Sequence, residues 1–157
     1  MKHIVTLQVE NKPGVLARIV GLISGRGYNI EGLTVAPTQD PDISRMTIEV
    51  PGDDRVIEQV TKQLNKLIDV IKVTDLTVQR HIGQELALFK VAAGEEQRGA
   101  VLDLCEAFGA KPILVQPESL VIRLVDDQQK IADFLELMKA FRLLEVSRSG
   151  LIAMAAD

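Results

Sequence analysis

Hydrophobic residues in this chain recur with a period of two, then of about 3.6, then of two again, and this order is run through twice in each half. The first switch is the sharpest. His3 to Glu10 alternates, with Val5, Leu7 and Val9 on one side and Thr6, Gln8 and Glu10 on the other, as in a half-buried strand. After Asn11-Lys12-Pro13-Gly14 the apolar residues Leu16, Ile19, Val20 and Ile23 follow at helical spacing. A helix is expected from Pro13 to about Gly25, closed by Gly25-Arg26-Gly27. Tyr28 to Ala36 reads as a second strand, Pro37 to Asp42 as a loop broken by two prolines, and Ile43 to Val50 as a third strand. Asp54 to about Leu67 reads as a second helix with Ile57, Val60, Leu64 and Leu67 in one stripe, and Val70 to Thr77 as a fourth strand.

The remainder repeats the order. Strands are expected at Gln84–Ala92, Lys111–Gln116, Leu120–Val125 and Leu144–Ala153, with helices at Glu95–Phe108 and Gln128–Phe141. The fold class is therefore α+β: two ferredoxin-like βαββαβ domains, each a four-stranded antiparallel sheet with two helices on one face. The boundaries expected are residues 1–77, a linker at 78–83, and residues 84–157. Each domain is small and leaves one sheet face bare, so association with a second copy is expected. The second and fourth strands are the edges, open to strand addition.

Composition narrows the function. Net charge is -4, aromatics make up 3%, and there is no Trp, which argues against a duplex-binding surface or a base-stacking platform. No apolar run approaches a membrane span, and no signal peptide precedes the first strand, so the cytoplasm is the expected location. Cys105, the sole cysteine, lies among Val101, Leu102, Leu104 and Phe108 and reads as a small buried hydrophobe. His3 and His81 have no nearby nucleophile or metal-ligand spacing and read as surface histidines. The pairs Asp53-Asp54, Glu95-Glu96 and Asp126-Asp127 precede helices and suit their N-terminal dipoles, so no catalytic residue and no metal site is expected.

The junction at Asn11 to Leu16 carries the chemistry. A helix start presents unpaired N–H groups and partial positive charge, and Gly14 has no side chain to keep a carboxylate away. An ordinary strand-to-helix turn is the alternative at this point.

The run Glu10-Asn11-x-Pro-Gly-Val-Leu-x-Arg18, with Gly27-Tyr28-Asn29-Ile30-Glu31, Leu33-Thr34-Val35-Ala36-Pro37-Thr38 and Ser44-Arg45-Met46-Thr47-Ile48, resembles the regulatory (small) subunit of acetolactate synthase. The first half looks like that family's amino-acid-binding ACT domain, and the closing Glu145-Val-Ser-Arg-Ser-Gly150 matches the second half. The resemblance implies a non-catalytic homodimer that binds and activates the catalytic (large) subunit and transmits feedback inhibition by a branched-chain amino acid, usually valine. It implies no cofactor on this chain, and thiamine diphosphate, Mg and FAD on the catalytic subunit. It places Asn11, Gly14, Val15 and Leu16 in the effector loop and adjoining helix, and Asn29 and Ile30 of a partner's second strand opposite them. Ala36 and Gln59 match positions associated with effector sensitivity, and Gly32 replaces a more usual Ser. Arg18, Arg26 and Arg45 are candidates for polar contacts with the catalytic subunit, solvated arginine being the alternative reading of each.

The chemistry fits a zwitterion: N–H groups near Gly14 for the carboxylate, amide oxygens of Asn11 and Asn29 for the ammonium, and Val15, Leu16 and Ile30 as aliphatic walls. Two other classes compete. An independent enzyme lacks a catalytic constellation. An amino-acid-responsive transcription regulator lacks a helix-turn-helix, and residues 78–157, with 9 basic and 12 acidic side chains, carry the wrong sign for DNA.

Overall fold

The computed structural model describes all 157 residues, Met1 to Asp157. The elements in chain order are β1 Lys2–Glu10, α1 Val15–Gly25, β2 Gly32–Pro37, β3 Ile43–Pro51, α2 Asp54–Leu64, β4 Val70–Asp75, β5 His81–Ala92, α3 Glu95–Phe108, β6 Lys111–Val115, β7 Ser119–Asp126, α4 Gln128–Met138, β8 Arg142–Arg148 and β9 Ile152–Ala155. They divide into two compact units, Met1–Ile82 with Leu151–Asp157, and Gly83–Gly150. The last seven residues, assigned to the second domain from the sequence, thus belong to the first unit.

In the first unit the sheet order is β2-β3-β1-β4, all antiparallel neighbours, with β2 and β4 at the edges. Alternation does what the sequence pattern requires. Val5, Leu7 and Val9 of β1 and Met46, Ile48 and Val50 of β3 pack against Val15, Ile19 and Ile23 of α1 and Ile57, Val60 and Leu64 of α2. Both helices therefore lie on one face. Asp53 caps α2, its carboxylate accepting from Val56 N–H at 3.0 Å, and Asp127 caps α4 by accepting from Lys130 N–H at 2.8 Å.

The opposite face of this sheet is not bare, contrary to the expectation from element order. Leu151 and Ala153 are buried with Leu76, and Ile4 packs against them. Thr34 Oγ1 donates to Leu151 C=O at 2.8 Å, and Arg45 Nη2 to Ala153 C=O at 3.0 Å. The last strand expected at Leu144–Ala153 is thus two strands. The chain breaks at Ser149-Gly150, where Gly150 takes φ +88°, so that β9 can join the first unit. Other boundaries shift for local reasons. The second strand starts at Gly32 rather than Tyr28, because Tyr28 N–H turns back to Ile23 C=O after the left-handed Gly27. Helix α1 starts at Val15 rather than Pro13, and α2 and α4 end at Leu64 and Met138, where bonds to the third residue back close their final turns.

His3, read from the sequence as a surface histidine, is structural, and so is Glu49. His3 is 1% exposed: its Nε2–H donates to Gly52 C=O at 3.0 Å, and its Nδ1 lies 3.3 Å from the Thr77 hydroxyl. Glu49, also buried, faces Lys2 Nζ at 3.1 Å, and its Oε2 lies 2.0 Å from where a Cβ on Gly32 would stand. Gly32 is therefore the residue that leaves room for the Glu49 carboxylate.

The second unit repeats the plan with sheet order β6-β7-β5-β8. Ala87, Phe89 and Val91 of β5 and Leu120, Ile122 and Leu124 of β7 pack against Val101, Cys105, Ile131, Phe134 and Met138. Phe134 meets Phe89 and Phe108 edge-on, with ring centroids 5.0 and 5.3 Å apart. Burial pushes the Cys105 thiol up, which suits the inert packing role expected of it. β9 pairs with β5, the strand that carries the chain from the first unit to the second. Glu85, at the start of β5, is buried and accepts from Arg148 Nε at 2.7 Å and Nη2 at 2.9 Å and from Gln128 Nε2 at 3.0 Å.

Two outcomes follow from these carboxylates. Burial alone would raise the Glu85 carboxyl, but hydrogen bonds from Arg148 and Gln128, the guanidinium charge and the Gly150 N–H outweigh it and hold the carboxyl below its ordinary range. A depressed folded-state pKa contributes stability above the unfolded value that is lost as pH falls through the folded one. Denaturant titrations of Glu85→Gln should show a loss of about 1–3 kcal/mol at neutral pH and a shallower decline below about pH 4.5 than the parent. Gly32→Ser should lower stability by about 1 kcal/mol in the parent and by less in a Glu49→Ala background, since the serine Cβ then meets no carboxylate. Equal losses in both backgrounds would contradict this account of Gly32.

Candidate effector site

Helix α1 begins without a conventional cap. Gly14 holds φ +85° and ψ -9°, no side chain accepts at the helix start, and the first turn contains no acidic residue. Val15 N–H reaches back to Lys12 C=O at 3.4 Å and Arg18 N–H to Gly14 C=O at 3.0 Å, whereas Leu16 and Ala17 N–H have no backbone acceptor. These two donors and the dipole behind them face outward beside a glycine.

Three neighbours shape this mouth. Asn11 N–H donates to Asp42 C=O, and Asn11 Nδ2 to Pro41 C=O, both at 2.8 Å, so the amide oxygen is turned away as a free acceptor. Arg18 lies one turn into the helix. Its Nε and Nη2 both donate to Asp69 Oδ2, at 2.9 and 2.6 Å, and its Nη1 stands 3.0 Å from the position of a Cβ on Gly14. The guanidinium is thereby fixed over the glycine, with Nη1 the nitrogen not bonded to Asp69. Leu16, 40% exposed, is the aliphatic side chain at the mouth. Val15 is 3% exposed and packs into the core, so its side chain supports the turn from beneath rather than walling an opening.

Asn29 and Ile30 are not beside these residues in the same chain. The register aligns Ile4 with Glu49 and Glu49 with Gly32, whereas Glu10 aligns with Ile43 and Pro37 with Ser44. The loop before Gly32 thus lies at the Ile4 end of the sheet, and Asn11 to Leu16 at the Glu10 end. Six strand residues separate these ends, roughly 20 Å at about 3.3 Å each. Asn29 is exposed, and Ile30 is half-buried against the core. Antiparallel pairing of two β2 edges about a two-fold axis would set the start of one β2 beside the end of the other, towards the Asn11–Leu16 turn of that second copy.

Ala36 lies on β2 opposite Arg45, and Gln59 on α2 next to buried Val60; neither is part of the helix mouth. Arg45 binds the main chain at Ala153. The fixed Arg18–Asp69 pair was hidden from sequence reading, because its partners are 51 residues apart, although the four-residue spacing from Gly14 to Arg18 marks a shared helical face. No group of three or more His, Cys, Asp or Glu side chains is placed to hold a metal ion, and no helix is long and apolar enough to cross a membrane.

Comparison with known proteins accounts for both units. Residues 5–72 match the family model described as an AHAS small subunit-like ACT domain, and residues 84–157 match that of the small subunit of acetolactate synthase. The acetolactate synthase small subunit of Aquifex aeolicus is 51% identical, with 99% of this chain and 82% of that protein covered. A probable acetolactate synthase small subunit of Archaeoglobus fulgidus is 47% identical over 98% of this chain and 96% of its own length. The crystal structure of the small subunit from Thermotoga maritima superposes with a TM-score of 0.90 at 35% identity, covering 100% of this chain and 98% of that one. With both halves matched in sequence and in fold, the chain belongs to the acetolactate synthase small-subunit family, a family of regulatory subunits.

Proposed function

We propose that this chain is a homodimer that senses a branched-chain amino acid, valine first, and passes its occupancy to the thiamine-diphosphate-dependent catalytic subunit of acetolactate synthase. The observation that carries this reading is the open start of α1, with unpaired N–H groups, a left-handed glycine and a guanidinium held over it. The effector carboxylate accepts from the Leu16 and Ala17 N–H groups within the field of Arg18. Its ammonium donates to the Asn11 amide oxygen and to the amide oxygen of Asn29 from a second copy, and its side chain lies against Leu16 and that copy's Ile30. The catalytic subunit supplies the thiamine diphosphate, Mg and FAD, and this chain raises its activity and conveys feedback inhibition.

Each effector then contacts two protomers. It stabilises whichever dimer arrangement it fits, and it inhibits by the difference between its affinities for inhibited and active assemblies. Selection among valine, leucine and isoleucine rests on an apolar wall, where one methylene contributes about 1–3 kcal/mol.

Calorimetric titration of the chain with valine, leucine and isoleucine tests the reading. Saturable binding is expected in the parent, and Gly14→Asp and Asn29→His should each weaken it at least roughly tenfold, about 1.4 kcal/mol, with the dimer retained. At position 14 an aspartate would both strain a positive φ and place its own carboxylate against Arg18 and the helix start. Refolding the two variants together should restore sites. About half the dimers would then be hybrids, each with one intact and one doubly altered site, giving roughly a quarter of the parental stoichiometry. No recovery on mixing would contradict a site shared between copies.

A further inference from the structure

We propose that β9 is the element through which effector occupancy reaches the second unit, an inference that rests on the effector reading above and adds the route. The chain passes between the units twice, at Ile82–Gly83 and at Gly150–Leu151. The second passage is anchored on both sides. Within the second unit, Arg148 is held on buried Glu85 by two hydrogen bonds, Ser149 N–H donates to Leu86 C=O at 2.9 Å, and Leu86 N–H returns a bond to Ser149 Oγ at 3.0 Å. Immediately after Gly150, Leu151 and Ala153 are buried on the first unit's sheet, and Ala156 N–H donates to Arg80 C=O at 3.0 Å. Only Gly150, at φ +88°, stands between the two anchorages as a residue with unusual backbone freedom.

The sheet grips β9 by its main chain. Thr34 on β2 donates to Leu151 C=O, and Arg45 on β3 donates to Ala153 C=O. Thr34 follows the proposed effector loop at Asn29 and Ile30 by a few residues on the edge strand that would meet a second copy. A displacement of β2 on closing around an effector therefore acts on the carbonyl of Leu151, which only Gly150 separates from the clamp at Arg148 and Ser149. Side-chain packing by Leu76 and Ile4 holds the strand in place, while these two hydrogen bonds relate its position to β2 and β3.

The test uses the full chain with the purified catalytic subunit. Thr34→Val with Arg45→Met removes both donors at nearly constant shape. The double variant should bind valine within about threefold of the parent, yet valine inhibition of the reconstituted synthase should weaken at least about fivefold, the low end of typical coupling factors. In the parent, amide exchange at Ile152–Ala156 should slow on adding valine. Valine binding with inhibition undiminished in the variant, or unchanged exchange at Ile152–Ala156 in valine-saturated parent, would overturn the route. So would loss of valine binding by a variant that still dimerises, which would put Thr34 and Arg45 in the effector site instead. Absence of valine binding by the parent itself would instead remove the effector reading on which the route rests.

Discussion

A helix that starts on a glycine with positive φ, with no Ser, Thr, Asp or Asn side chain turned back to cap it, leaves donors that the rest of the chain must accommodate. Several neighbouring polar groups at that end of the sheet are tied down within the chain. Asn11 is tied to the Pro41–Asp42 loop, Arg18 to Asp69, and Lys12 to Glu10. The start of α1 stays open, with no acid in its first turn, the helix dipole behind it and an arginine, itself paired to Asp69, fixed above the glycine. Sheet order then decides what can complete the site. Because β2 and β1 both pair antiparallel to β3, the Asn29 loop and the Asn11 turn are at opposite ends of one sheet. The proposed ligand binding is thus linked to the arrangement of the two copies, which a ligand held by both would bias.

Covering the second face of the first sheet changes what that association has to accomplish. A ferredoxin-like sheet with one bare face needs a partner for burial, whereas here Leu151 and Ala153 with Ile4 and Leu76 supply that burial from within the chain. The open edges of this sheet are β2 and β4, and the proposed association uses β2. The second unit spends its one deeply buried carboxylate differently: Glu85 gathers Arg148, Gln128 and the Gly150 N–H where the chain leaves that unit. The two halves share an architecture and differ in what their polar residues are used for.

Much of this was legible from period and local chemistry. The alternation of Val5, Leu7 and Val9, the stripes of α1 and α2, and the caps Asp53 and Asp127 are consequences of neighbouring residues, and the core follows them. The open helix start was equally local, being a matter of Pro13 and Gly14. What escaped was non-local. The separation of β9 from β8 depends on a sheet formed more than a hundred residues earlier, with Thr34 and Leu151 meeting across 117 positions. His3 reads as a terminal polar residue until Gly52 and Thr77 are brought to it. Val15 and Leu16 are adjacent in sequence and alike in kind, yet one is buried in the core and the other exposed at the mouth, a distinction set by helical phase. Gly32 owes its tolerance to Glu49, which only the register of β2 against β3 reveals.

The account turns on where a bound amino acid lies. A crystal structure of the full chain grown with L-valine measures this directly. The account predicts two copies joined through antiparallel β2 edges, with each valine carboxylate on the Leu16 and Ala17 amides of one copy and its ammonium beside Asn29 of the other. Valine held wholly within one chain, or a helix start left vacant at saturating valine, would contradict it.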